Sequence, residues 1–260
     1  MARTPEGPPP APAVQRLRLR YAKRGRLRFS SHRDFQRAFE RALRRSQVPM
    51  AYSAGFSPHP KVSYAGAAAT GVASEAEYVE IAVTARCDPE LLRAALDESL
   101  PPGLDVLEVV EAGPGSLADR LEASVYEVTL PGVDVVAAAE ATQVFLAADE
   151  VTVDRMTKNG LRTFDARAAV VSLSVRSSNA GATPEAPPST ANTAAEPDCA
   201  ILRLVVRHTT PGVRPDDVLV ALRRVADLAP PVPPSVIRLA QGPLDAATDD
   251  VADPLAPDRR

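Results

Sequence analysis

Arginine is the residue type through which this 260-residue chain could do chemistry. Eleven arginines and Lys23 crowd the stretch from Arg16 to Arg45, against only two acids, Asp34 and Glu40. The segment carries +10, whereas the whole chain is −3, which leaves −13 for the remainder. A planar guanidinium matches phosphate geometry, and one basic corner on an acidic chain points to an anionic partner, RNA or DNA first. Histidine is the second candidate. His59 lies in Ser53-Ala54-Gly55-Phe56-Ser57-Pro58-His59-Pro60, where two prolines restrict the backbone around it. It is either a solvent-exposed imidazole on a rigid loop or, with His32, a group that reaches phosphate or substrate.

These residues need elements to position them. Alternation over Arg16 to Ala22 predicts a strand with Leu17, Leu19 and Tyr21 on one face and Arg16, Arg18 and Arg20 on the other. A turn at Lys23-Arg24-Gly25 would return the chain into a second strand. Leu27 and Phe29 would continue its apolar face, and Arg26 and Arg28 its basic face, giving five arginines on one side of the sheet. A helix follows, capped by Ser30 or Ser31 with Asp34 in its first turn. Phe35, Ala38, Phe39, Ala42 and Leu43 form its apolar stripe, while Arg33, Arg37, Arg41 and Arg44 line another side. That basic side is either a solvated helix face or an extension of the arginine track.

The order Phe29-Ser30-Ser31-His32-x-Asp34, then Arg44-Arg45, then Gly55-Phe56-Ser57-Pro58-His59-Pro60-Lys61, then Gly71-x-x-Ser74-x-x-Glu77 resembles the bacterial radical SAM-linked protein family. The resemblance covers roughly Arg16 to Leu239 and is most specific in the Gly55 to Lys61 loop. Members of that family occur beside, or fused to, cobalamin-binding radical SAM proteins. The resemblance therefore implies a radical SAM partner more clearly than it implies an activity.

The remainder reads as α+β, two ferredoxin-like (βαββαβ-type) units in tandem with disordered tails. The expected divisions are a tail over 1–14, a basic unit over 15–112, a second unit over 123–240 and an acidic tail over 241–260. In the first unit, helices on one sheet face leave the other open for the arginines. The second unit holds a strong alternating strand from Cys199 to Arg207, and its insertion 177–198 lacks any large apolar residue and reads as a flexible loop. The aspartates of the last segment, among them Asp245, Asp250 and Asp258, read as solubilising or as competitors for the basic face. A further constellation follows a strand of this unit. Lys158, Arg162, Asp165 and Arg167 form a possible second site, with Asp165 placed to orient Arg162 or Arg167, and the radical SAM-linked resemblance includes a lysine and an Asp-x-Arg at this point.

Several classes of chemistry are excluded or disfavoured. Two distant cysteines, Cys87 and Cys199, cannot hold the iron–sulfur cluster of a radical SAM enzyme and suit reduced thiols in the cytoplasm. There is no phosphate-binding glycine loop and no apolar run of membrane-spanning length, and the proline-rich opening residues lack the apolar core of a signal peptide. His32, His59 and His208 lack the spacing of a zinc site, so neither metal nor cofactor is expected. With no tryptophan and 4% aromatic residues, backbone recognition is favoured over a base-stacking platform. The expected function is a non-catalytic RNA-binding accessory domain that positions structured RNA, ribosomal or transfer, for a radical SAM partner, using Arg16, Arg18, Arg20, Arg26, Arg28, Arg33, Arg37 and Arg41. One alternative is a metal-independent endoribonuclease using His32 or His59. Another is a protein-only adaptor. A further possibility within the chain is that the arginines face carboxylates of the second unit instead of solvent.

Overall fold

The computed structural model describes residues 10–158, 160–177 and 199–259, and its architecture is α+β with a mixed sheet and, among these residues, four α-helices. The tail expected over 1–14 lies outside the described residues up to residue 9. The insertion expected over 177–198 lies outside them from residue 178. Two compact units are formed, Met1–Leu121 with Ala240–Pro243 and Asp253–Arg260, and Glu122–Leu239 with Leu244–Ala252.

The first unit contains β1 (Gln15–Lys23), a 3-10 turn (Gly25–Phe29), α1 (His32–Arg45), β2 (Val62–Ala65), β3 (Ala73–Val83), α2 (Pro89–Ser99) and β4 (Leu104–Glu111). β1 pairs antiparallel with β3 on one edge and with β4 on the other, and β2 pairs with β3. Alternation along β1 buries Leu17, Leu19 and Tyr21 against α1, α2 and the apolar residues of β3 and β4. Of the two serines expected to cap α1, Ser31 does so, and with Asp34 of the first turn it forms a capping box. The Ser31 hydroxyl accepts from the Asp34 N–H, and the Asp34 carboxylate accepts from the Ser31 N–H. These bonds hold the Asp34 carboxyl below its ordinary pKa. Phe35, Ala38, Phe39, Ala42 and Leu43 are the helix residues that reach the core, and each fully buried phenylalanine contributes about 1.5–3 kcal/mol.

Two expectations for this unit are corrected. The residues after Lys23 do not form a second strand. Both edges of β1 are already occupied by β3 and β4, so no edge is left for a hairpin partner. Gly25 adopts φ +53° instead, and Leu27 and Ser30 donate to the carbonyls of Arg24 and Leu27 to close the 3-10 turn. The second face of the sheet is not open either. Leu117, Leu121 and Leu255 pack on Ala65, Ala76 and Tyr78 of that face.

Leu255 belongs to the segment expected as a disordered acidic tail, and this too is corrected. Residues 244–251 form a small hairpin, and a 3-10 turn (Ala256–Asp258) buries Asp258 in the first unit.

The second unit runs β5 (Ala123–Pro131), α3 (Val135–Ala147), a hairpin of β6 (Thr152–Thr157) and β7 (Gly160–Asp165), β8 (Val170–Ser177), β9 (Cys199–Arg207), α4 (Pro215–Ala226) and β10 (Ser235–Gly242), whose residues from Ala240 onward belong to the first unit. The hairpin of 244–251 is β11 (Leu244–Asp245) paired with β12 (Asp250–Val251). Strands follow the order β10-β5-β9-β8, with α3 packed on α4 and β8. No helix of the described residues is long and apolar enough to cross a membrane.

Candidate functional site

The arginines divide by element. Those on β1 alternate onto the second sheet face, where Arg16 and Arg18 meet carboxylates of their own unit and Arg20 meets a backbone carbonyl. Arg18 stands directly opposite Glu80 on β3, and Arg20 opposite Glu108 on β4. Arg18 is 0% exposed. Its Nε donates to Glu80 at 2.8 Å, one terminal nitrogen donates to both Asp258 oxygens at 2.9 and 2.8 Å, and the other donates to the Gly115 carbonyl at 2.5 Å. Arg120 and the Gly113 N–H also donate to Asp258. Burial alone would raise the Asp258 carboxyl, but the bonds from Arg120, Arg18 and Gly113 outweigh it and hold its pKa below the ordinary value. Burial likewise works against the Arg18 charge, and Asp258 and Glu80 more than compensate. A guanidinium that is fully buried among these partners is out of reach of phosphate, so Arg18 serves the fold. Arg20 donates to the Glu75 carbonyl, and Arg24 pairs with Glu75 and Asp105.

The arginines beyond β1 behave differently. Arg26 in the 3-10 turn and Arg33, Arg37, Arg41, Arg44 and Arg45 on α1 are exposed, and Arg28 is half-buried. None of these seven makes an ion pair among the described residues. Arg33, Arg37 and Arg41 repeat every four residues and so form one row along the helix. Three exposed aromatic rings belong to the same unit. Phe29 is 59% exposed with the Arg28 guanidinium 4.6 Å from its ring centre, and Tyr52 and Phe56 are 42% and 71% exposed.

The loop from Ala51 to Lys61 contributes the second part of the site. The Ser53 N–H donates to the His59 carbonyl at 2.8 Å, and the His59 N–H donates to the Ser53 hydroxyl at 3.0 Å. Gly55 supplies φ +131° at the loop's turn. This closed loop contributes Ser53, His59 and Lys61 to a groove of about 330 Å³ that Arg16 of β1, Ser63 of β2 and Glu80 of β3 also line. Arg16 is held there by Glu80 at 3.5 Å and keeps most of its side chain exposed. A second cavity of about 210 Å³ lies between α1 and the loop, and Pro60 lines both. Gly55 and Phe56 line neither. His32 does not join His59 in either cavity. Its ring lies edge-on to Tyr64 at 5.0 Å and within 3.1 Å of the Gln36 amide.

Other expected positions are structural. Ser74 and Glu77 are buried, and the Glu77 carboxylate accepts from the Ala68 N–H. Asp165 does not orient an arginine side chain. It accepts the N–H groups of Val151, Arg167 and Ala168, which shapes the turn after β7, and Arg167 donates to the carbonyls of Leu146 and Val170. Lys158 and Arg162 are exposed on the β6–β7 hairpin. Among the described residues no group of three or more His, Cys, Asp or Glu could hold a metal ion. Residues absent from the sequence-derived site are Phe29, Glu40, Tyr52, Ser53 and Ser63. Tyr52 and Phe56 within a turn-rich loop were the signal available for the aromatic ones, since such a loop cannot bury both rings.

Residues 16–215 match the model of a bacterial family described as "Uncharacterized protein conserved in bacteria (DUF2344)". A search of curated proteins returned no match.

Proposed function

We propose that this chain, which belongs to the DUF2344 family, is an RNA-binding protein that tracks the phosphate backbone along α1 and the adjoining loop. The observation that carries this reading is the row of exposed arginines without ion partners among the described residues, in a chain whose remaining charge is acidic. Carboxylates are plentiful, and β1 shows that this fold pairs an arginine when one is to be neutralised. The exposed Phe29, Tyr52 and Phe56 add faces on which unpaired bases can stack, an arrangement suited to single-stranded or looped RNA. The strand-helix-strand-strand-helix-strand order of the first unit, and of the second once its β6–β7 hairpin is set aside as an insertion, with strand orders β4-β1-β3-β2 and β10-β5-β9-β8, supports reading the chain as two ferredoxin-like units in tandem. The role of accessory to a radical SAM partner rests on the motif resemblance, and co-purification from cells tests it.

A titration of labelled RNA, followed by anisotropy at low salt, tests the binding reading. The wild type binds, and Arg33→Ala/Arg37→Ala/Arg41→Ala loses most of the affinity. Retained capture of a protein partner without RNA affinity would select the protein-only adaptor. One observation favours a second reading, cleavage without metal. Arg16, His59 and Lys61 share one groove, so an imidazole for proton transfer stands with two cations able to stabilise a phosphorane.

A further inference from the structure

The cavity between α1 and the loop is lined by Met50, Tyr52, Pro58 and Pro60, with Glu40 and Arg44 contributing a carboxylate and a guanidinium. At about 210 Å³ it is smaller than a drug-sized pocket, roughly 300–1,000 Å³, and suits one flat ring system. Glu40 and Arg44 are four residues apart on α1, in the orientation that ordinarily pairs on a helix surface. Among the described residues they form no ion pair, and neither has a side-chain hydrogen bond there. The cavity therefore offers apolar walls for a ring, one free acceptor pair and one free donor fork.

We infer that this cavity is a pocket for a single guanine base of the bound RNA, with the Glu40 carboxylate accepting from N1–H and the 2-amino group and Arg44 donating to O6 and N7 or to the adjoining phosphate. The inference rests on the RNA-binding reading for its ligand class and deepens it to base identity. Guanine is the base whose Watson–Crick edge offers two adjacent donors to a carboxylate. Adenine and cytosine present a ring-nitrogen acceptor beside one amine, and uracil flanks its single N–H with two carbonyls, so each sets an acceptor against the carboxylate. The apolar walls of Tyr52 and the prolines supply stacking for any base, and Glu40 supplies the choice. The pocket is continuous in sequence with the arginine row, since Arg44 follows Arg41 by three residues on the same helix.

Calorimetric titration of the full chain with guanosine, inosine and adenosine monophosphates tests this. The wild type binds the guanosine form at least tenfold more tightly than the adenosine form, with inosine, lacking the 2-amino group, between them. Glu40→Gln removes that preference without lowering the melting temperature, and Arg44→Ala weakens all three nucleotides together. Equal affinities, no binding at all, or a preference that survives Glu40→Gln would each overturn the pocket. Failure of the pocket is distinguishable from failure of the RNA reading. RNA bound through the arginine row without base preference sinks only the pocket, whereas a guanosine preference without RNA binding keeps the pocket and sinks the row.

Discussion

β1 and α1 carry the same side chain at regular spacing and use it in opposite ways. On β1 a two-residue period sends Arg16, Arg18 and Arg20 onto one sheet face, where Glu80 and Glu108 stand across the strands and Asp258 arrives from the far end of the chain. On α1 a four-residue period sends Arg33, Arg37 and Arg41 away from the core, where no described carboxylate forms an ion pair with them and Asp34, engaged in the cap with Ser31, feels Arg37 only through its charge. Arginine density alone thus does not mark a binding surface. What separates the two regions is whether the fold delivers acids to the same face. A buried guanidinium is tolerated only when its donors are matched, whereas an exposed row left unmatched is free to exchange counterions for phosphates.

The sharpest way to break this comparison is to treat a β1 arginine as if it belonged to α1. Arg18→Ala leaves Glu80 and Asp258 without their central cation and is expected to cost about 3–5 kcal/mol, or to prevent folding. Chemical denaturation reads the loss. The triple α1 variant is expected to change stability by no more than about 0.5 kcal/mol in the same assay, as ordinary surface substitutions do. Comparable losses in both would show that the helix arginines also serve the fold.

Acid sharpens the contrast with a smaller effect. Because the folded pKa of Asp258 is depressed, its contribution is fully present above the unfolded carboxylate value of about 3.9 and is lost as pH falls from there through the folded value. Asp217 in the second unit has the opposite sign. Desolvation raises its pKa, so that group favours the fold more as pH falls. The wild type is expected to lose stability below pH about 4 more steeply than Asp258→Asn, and identical slopes would remove Asp258 from the account. The smallest effect concerns His59. If the groove cleaves RNA, labelled RNA incubated with the chain in EDTA shows products that disappear in His59→Ala. Intact RNA in both leaves binding as the activity of this surface.

Much of the frame was legible in local pattern. The serine cap with Asp34 in the first turn, the apolar stripe of α1 and the alternation of Cys199–Arg207 are short-range signals, and all three formed where their residues indicated. The turn at Gly25–Phe29 misled because Leu27 and Phe29 alternate with arginines like a strand, and only the occupancy of both β1 edges forbids one. The covering of the arginine face was less legible still. Arg18 and Asp258 are separated by 240 positions, and an aspartate in a proline-containing acidic segment looks solvated. Leu255, fully buried within that segment, was the residue that spoke against a free tail. Of the candidate site, the arginine row and the His59 loop could be named from sequence. The meeting of the His59 loop with Arg16 in one groove depends on β3 carrying Glu80 beside the loop, which no local pattern encodes.

In the proposed function the helix arginines, not the strand arginines, meet RNA. The direct measurement is the slope of log K against log salt for labelled RNA with three proteins, the wild type, Arg33→Ala/Arg37→Ala/Arg41→Ala and Arg20→Ala. Each phosphate that is no longer neutralised should reduce the slope by roughly 0.7–0.9, so the triple variant is expected to be shallower by about 2–3 while Arg20→Ala matches the wild type. A triple variant with an unchanged slope, or an Arg20→Ala slope that falls with it, would contradict the account.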